Sequence, residues 1–489
     1  MNTTDMALMG PTAKKAKTYA QSLSVAFVLV AASASNAQSQ FSPPGIGSSV
    51  GAAADNEAME PAGPVPWLTY GVDAGVGESD NVTLASRDKI SQTVATTDAD
   101  FVVKEQSRLL EAHATGDFSY LDYLQNAYGS QLIGRFDGQG TMAVVPGRLN
   151  WVVQENYGQA AINPYVAVTP TNMENINYFA TGPDLFLRLG GINFIDLSAR
   201  YARAQYQTSP YDSNRGFGSL AVGRYISAGA SVSLNADFER VMFENTLVND
   251  DFDRIRAFGG YELHGARTDF DVDLGASRIS QEGPSITGPL AKVQLSRQLS
   301  AAAKLTLTAG RELTDAASSF STLRFATTGL SGIIGTAPAA LTSSNYTSDF
   351  ASLGWQYLLN RTTIGLSARW EKDTYSSQPQ LDVSHPGADF TLQRQLTRGF
   401  SAQLVGRWYR SDYPNAIITS STYSSKYDDW LAGGALTWHH GHGLEINLRY
   451  NHSSRVAVLG GGGYSENRVF LTVGYRPRPA TGVPTAGAP

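Results

Sequence analysis

Alternation of apolar and polar side chains over long stretches is the feature that most restricts how this chain can fold. Between residues 268 and 276, apolar side chains alternate with Asp269, Asp271 and Asp273. The same period of two recurs at 232–239, 364–371 and 444–451. Successive side chains of a strand point to opposite faces, so each stretch predicts a strand with one apolar and one polar face. A soluble sandwich has the same period, and the connections between strands are needed to decide.

The predicted strands are about 12 to 16 residues long, against about 5–6 residues in soluble sheets. Their connections alternate between tight turns, as near Gly190 and Asn360, and long links, as at 245–251 and 412–423. Short turns at one end and longer loops at the other are the asymmetry of outer-membrane barrels. The sequence therefore predicts an all-β fold, a transmembrane antiparallel β-barrel of about 18–20 strands (range 16–20) with short periplasmic turns and longer extracellular loops.

The N-terminus has the three parts of a secretory signal peptide. Three lysines precede an apolar stretch at 23–34, and small residues precede a cleavage site after Ala37. No later stretch approaches the ~20 apolar residues of a transmembrane helix, so only a closed barrel could span a membrane. We expect the outer membrane of a Gram-negative bacterium as the location. The predicted parts are a signal peptide at 1–37, a disordered Ser/Gly/Pro-rich periplasmic leader at 38–66, the barrel at 67–476 and a Pro-rich periplasmic tail at 477–489.

Composition excludes several classes of function. The chain has no cysteine, which excludes disulfides, thiolate metal sites, a cysteine nucleophile and a lipoprotein anchor. Its formal net charge is −6, and a nucleic-acid binder would need a basic face. We therefore expect no nucleic acid among its partners.

Two patterns resemble catalytic or metal sites. Residues 47–51 match the nucleophile elbow, but that motif needs a strand before it and a helix after it, and here it lies in the Ser/Gly-rich leader. His439, His440 and His442 cluster in a predicted tight turn, where adjacent side chains point to opposite faces. A solvated turn is the simpler interpretation. The sequence thus predicts no catalytic residues, no metal, no cofactor and no enzymatic activity.

Charged side chains within the predicted strands are candidates for lining the lumen. An Arg facing lipid near the membrane midplane costs ~2–4 kcal/mol, so these side chains are expected to face inward and to set selectivity. The candidates are Arg200, Arg224, Asp237, Glu239, Asp269, Asp271, Asp273, Arg369, Glu371, Arg407, Glu445 and Arg449. The longest predicted loop, 316–342, carries Arg324 as its only charge. It is interpreted as a plug, a lid or an extra hairpin.

The first predicted strand carries a family resemblance. It runs from Thr69 through Gly77 into Ser79-Asp80-Asn81-Val82. An opening strand that leads into an Asp-Asn-Val/Ile loop resembles the β-barrel porins associated with exopolysaccharide biosynthesis and export systems. The resemblance implies a non-catalytic passage for a secreted polymer, with the polysaccharide as ligand and periplasmic polysaccharide-export components as partners. It supplies no catalytic residues.

Two functions remain open from the sequence. An exporter should show a polar track with aromatic rings and a closed resting state. A general or substrate-selective porin for small solutes should show an open channel with a charged constriction. A surface enzyme or adhesin is the third class, but neither a catalytic constellation nor a passenger domain is found. In every case the barrel would contact outer-membrane lipid, lipopolysaccharide and the barrel assembly machinery.

Overall fold

The computed structural model describes residues 67–321, 340–417, 420, 423–441 and 443–477. The predicted signal peptide and leader, the 47–51 pattern, Arg324, His442 and the tail from residue 478 onward lie outside the described residues.

The described chain consists almost entirely of long strands. Within the described ranges they are β1 Leu68–Ser79, β2 Gln92–Gln106, β3 Leu110–Tyr123, β4 Gln131–Val145, β5 Leu149–Ala161, β6 Met173–Leu189, β7 Asn193–Tyr206, β8 Ser213–Ser227, β9 Ala230–Phe243, β10 Phe252–His264, β11 Thr268–Gln281, β12 Ile286–Ser300, β13 Ala303–Thr314, β14 Tyr346–Leu359, β15 Thr362–Tyr375, β16 Val383–Ser384, β17 Gly387–Gln395, β18 Phe400–Asp412, β19 Ser424–His440, β20 Leu444–Gly460 and β21 Tyr464–Tyr475. The helical elements are α1 Ala316–Ser321 and two single 3₁₀ turns, Pro170–Asn172 and Pro379–Leu381.

Each strand pairs antiparallel with its neighbours in sequence, and β1 pairs with β21, which closes the ring. β16 and β17 both lie between β15 and β18 and form one barrel strand, interrupted at His385 and Pro386. Proline cannot donate a ladder hydrogen bond, which accounts for the interruption. The described residues thus form a closed barrel of 20 strands, and the predicted fold class is confirmed.

The two faces of the wall differ in chemistry. Along β11, Phe270, Val272 and Leu274 point outward, while Asp271 and Asp273 lie on the opposite face. Large exposed apolar side chains occur on the outward face of nearly every strand. In a closed barrel such a face has no protein to cover it, and lipid is the environment that stabilises it. The protein is an outer-membrane β-barrel, as the sequence predicts.

The two ends of the barrel also differ. Turns such as 228–229 and 301–302 join strands at one end, which we call the short-turn end, and the chain enters and leaves the barrel there. Links such as 162–172 and 244–251 lie at the other, long-loop end. Short turns face the periplasm in outer-membrane barrels. No helix in the described part of the chain is long and apolar enough to cross a membrane.

The seam between β1 and β21 is shorter than the ladder between β1 and β2. It pairs Val72–Ser79 with 468–475, and Leu68–Gly71 have partners only on β2. Arg476 extends past this gap and makes a bidentate ion pair with Asp100 on β2, at 2.7 and 2.6 Å. Gly71 leaves room for it, because a Cβ there would lie 2.7 Å from the Arg476 guanidinium.

The Ser79–Val82 motif lies at the long-loop end of the same seam. The Asn81 side chain is fully buried and donates to the carbonyls of Ala85 and Ser465 at 2.8 and 3.0 Å. The Asp80 carboxylate accepts from the backbone and side chain of Asn467 at 2.8 and 2.7 Å. The motif therefore fastens the first loop to the last strand.

The outward face gives a first prediction. Leu274 stands mid-strand on β11 and is 58% exposed. We expect Leu274→Arg to lower the free energy of unfolding by about 2–4 kcal/mol, because it places a charge in the lipid core. Urea unfolding in lipid vesicles measures this. Leu247→Arg, in the loop between β9 and β10, is the control and should change stability little. Equal effects of the two substitutions would place the membrane elsewhere on the barrel.

Candidate functional site

The lumen wall holds most of the charged side chains that the sequence singles out. All the candidates except Arg224 stand on inward positions of their strands, namely Arg200 on β7, Asp237 and Glu239 on β9, Asp269, Asp271 and Asp273 on β11, Arg369 and Glu371 on β15, Arg407 on β18, and Glu445 and Arg449 on β20. The inner surface therefore alternates between positive and negative groups.

Several inward charges are joined across neighbouring strands. Arg200 pairs with Asp184 at 2.6 Å, and Asp237 pairs with Arg256 at 3.1 Å. Arg407 pairs with Asp389 at 2.7 Å. Such pairs keep each charge compensated while leaving further donors and acceptors for a polar cargo.

The remaining acidic candidates lie along the wall at different depths. On β11, Asp273 is the register partner of Lys292, whereas Asp269 near the short-turn end lies 3.5 Å from His264. Glu371 is buried and accepts a hydrogen bond from the Ser348 hydroxyl at 3.1 Å.

Arg224 departs from the expectation, because it stands on the outward face with Leu220, Val222 and Ile226. It lies three residues before the end of β8, at the short-turn end. A charge near the interface costs only about 0–1 kcal/mol, so a long side chain is tolerated there. Its position in the alternation of β8 identifies the Arg224 side chain as outward, whereas its charge alone predicts an inward side chain.

Two members of the histidine cluster, His439 and His440, lie on opposite faces of β19, as expected for adjacent residues of a strand. His439 faces the lumen and contacts Glu445 at 2.6 Å, while His440 is exposed at the end of β19. Within the described ranges, no group of three or more His, Asp and Glu side chains is arranged to hold a metal ion.

A short segment inside the barrel is the main feature that sequence reasoning left unresolved. After β13 the chain turns inward, and we call residues 315–321, which include α1, the lumen segment. Ala317 packs with Ala160 and Ala204 on the inner wall, and Phe320 lies against Gly158 on β5. Residues 316–321 of the predicted 316–342 loop thus form a helix within the lumen, residues 340–342 are non-helical, and residues 322–339 lie outside the described residues.

Four buried charges hold the start of the lumen segment. This charge cluster consists of Arg215 on β8, Glu239 on β9, Arg254 on β10 and Asp315. Asp315 accepts from both terminal nitrogens of Arg215 at 2.6 and 3.2 Å and lies 3.4 Å from Arg254. Glu239 contacts both arginines. Two positive and two negative groups therefore cancel in a site nearly without solvent.

Ser318 joins the first turn of α1 to the charge cluster. Its hydroxyl donates to Asp315 at 2.6 Å and accepts from Arg215 and Arg254 at 3.1 and 2.9 Å. Burial by itself would raise the pKa of Asp315, but the two guanidiniums hold this pKa well below its usual range. Asp315 is therefore ionised throughout the physiological pH range, and its negative charge binds the segment to the wall.

A second connection spans the barrel at the long-loop end. In the link 162–172, the Tyr165 hydroxyl donates to the carbonyl of Gln380 at 2.6 Å, and its ring lies 4.9 Å from that of Tyr413. The Tyr427 hydroxyl donates to the carbonyl of Pro164 at 2.8 Å. The loop after β5 thus docks on β19 and on the loops that flank β16 and β18, far from its own strands.

Sequence reasoning identified Glu239 and the 316–342 loop but missed Arg215, Arg254 and Asp315. The available signal was their inward parity on β8 and β10 and the position of Asp315 as the last charge before an almost uncharged loop. Parity does not tell which strands face one another, so their meeting point could not be found.

Comparisons with known proteins give no family. No family model matches the sequence, and no curated protein matches it. Among solved structures, the chain is similar to a mutant of the ferric enterobactin receptor PfeA from Pseudomonas aeruginosa, with 9% identity, a TM-score of 0.43, and coverage of 83% of this chain and 80% of that one. The siderophore receptor PirA from the same organism is 10% identical, with a TM-score of 0.40 and coverage of 84% of this chain and 81% of that one. The FrpB iron transporter from Neisseria meningitidis is 9% identical, with a TM-score of 0.39 and coverage of 85% of this chain and 82% of that one. Similarities this low carry no information about what this chain binds.

Proposed function

We propose that this outer-membrane barrel is a gated, non-catalytic passage for a secreted exopolysaccharide, with the lumen segment as its gate. The observation that carries the proposal is the charge cluster of Arg215, Glu239, Arg254 and Asp315, which fastens a loop inside the lumen. A fastened internal segment supports a closed resting state, which is expected of an exporter and not of an open porin.

The chemistry of the inner wall suits a hydroxyl-rich polymer. Arg and Asp side chains paired across neighbouring strands, such as Arg200–Asp184 and Arg407–Asp389, offer donors and acceptors in alternation. Each single hydrogen bond contributes only about 0.5–1.5 kcal/mol, so a chain could exchange one for the next as it moves. The periplasmic polysaccharide-export components named by the family resemblance would deliver the polymer.

Polymer secretion in a strain that lacks the gene tests the proposal. We expect extracellular polysaccharide to disappear and to return when a plasmid supplies the wild-type chain. Uptake of small solutes should be unchanged in the same strains. Unchanged secretion together with reduced solute uptake would reject the export proposal in favour of a small-solute porin.

A further inference from the structure

The lumen has an aromatic surface close to its short-turn end. Phe186 near the end of β6, Phe194 at the start of β7 and Tyr225 near the end of β8 all point inward. The Phe186 and Phe194 rings lie 6.0 Å apart at 27°, and the Phe194 and Tyr225 rings lie 5.0 Å apart at 43°. These rings and Arg188 form what we call the mouth patch.

Phe194 forms the floor of the mouth patch. It is buried, and it lies so close to Gly223 that a Cβ there would come within 2.2 Å of the Phe194 ring. The glycine thus lets this ring lie flat on the wall. Phe186 and Tyr225 flank it and are only partly buried, so their surfaces remain open to the lumen.

Charged groups border the rings. The Arg188 guanidinium lies 5.9 Å from the Phe186 ring centre and 5.8 Å from that of Tyr225. Asp196 is the register partner of Phe186, and Asp184 lies next to it on β6. Both carboxylates are buried, so the exposed Arg188 supplies the hydrogen-bonding edge beside the apolar surface of the rings.

We infer that the mouth patch is a subsite for one pyranose unit of the polymer, at the end where the polymer enters. A pyranose ring has an apolar C–H face and a rim of hydroxyls. The face would stack on Phe186 and Tyr225, while the hydroxyls would bond the exposed guanidinium of Arg188. This inference rests on the proposed function for its ligand, but the binding itself can be measured independently of secretion.

The full-length chain in detergent micelles is the sample, and saturation-transfer NMR titration is the measurement. The probes are a linear dextran hexasaccharide and an alginate hexasaccharide, with polyethylene glycol of similar mass as the probe that lacks rings. We expect at least one of the hexasaccharides to bind the wild-type chain and polyethylene glycol not to bind. Phe186→Ala/Tyr225→Ala should weaken that binding by about tenfold or more.

Two variants keep the test specific. Tyr225→Phe retains the ring and should bind as the wild type does, and Phe258→Ala removes an inward ring from β10, away from the patch. Heat-dependent mobility on gels verifies that every variant is folded. Absence of binding to the wild type, an undiminished affinity in the double variant, or an equal loss in Phe258→Ala would each overturn the subsite.

Failure of the subsite and failure of the export proposal can be told apart. Loss of secretion on gene deletion, with oligosaccharide binding unaffected by the double variant, leaves the passage in place and removes the subsite. Binding that depends on Phe186 and Tyr225, with secretion unchanged on deletion, supports the subsite and rejects export.

Discussion

Asp315→Asn should raise the ratio of open to closed barrels, measured as conductance across planar lipid bilayers, by about two orders of magnitude. Removing one member of a buried ion network costs about 3–5 kcal/mol, because the remaining charges are left uncompensated. Here Arg215 and Arg254 would share Glu239 alone. If the closed state loses about 3 kcal/mol relative to the open state, their ratio changes about 150-fold.

Asp253→Asn is the matched control for this measurement. Asp253 pairs with Arg240 at 3.7 Å on the outward face of neighbouring strands, where the Arg240 side chain is 55% exposed and that of Asp253 is 36% exposed. Exposed pairs contribute about 0–1 kcal/mol, and this pair does not touch the lumen segment. Wild-type conductance in a folded Asp315→Asn variant would show that the charge cluster does not control the passage.

A covalent bond between the lumen segment and the wall should stop secretion. Ala317 on α1 and Ala204 on β7 are both fully buried in one cluster, and the chain has no cysteine of its own. In Ala204→Cys/Ala317→Cys, a disulfide would hold the segment in place. We expect polymer secretion to fall to the level of the deletion strain and to recover after dithiothreitol.

Each single-cysteine variant controls for the cost of altering a packed site. Mass spectrometry of the purified chain measures how much of the pair is oxidised. Normal secretion by a fully oxidised pair would mean that the segment does not have to move, and the gate would then be elsewhere.

The sequence predicts the barrel well because strand parity and link length are local properties. The alternation in β11 and the tight turn near Asn360 can be recognised without knowing any neighbour. The inward loop is a different problem. Asp315 follows β13, yet its partners Arg215 and Arg254 stand on β8 and β10, and Phe320 reaches β5. Such contacts depend on how the ring closes, which no local pattern specifies. Arg224 is the reverse case, since its apolar neighbours two residues away in the strand already indicate an outward side chain.

The Arg476–Asp100 pair at the seam favours one strand register when the barrel closes. A slip of β21 by two residues preserves which side chains face lipid and which face the lumen, so the apolar pattern cannot reject it. The same slip would move Arg476 by about 6–7 Å along the strand and break its bidentate contact with Asp100. This ion pair between the end of β21 and β2 thus favours the native register over a two-residue slip, which the apolar pattern alone would allow.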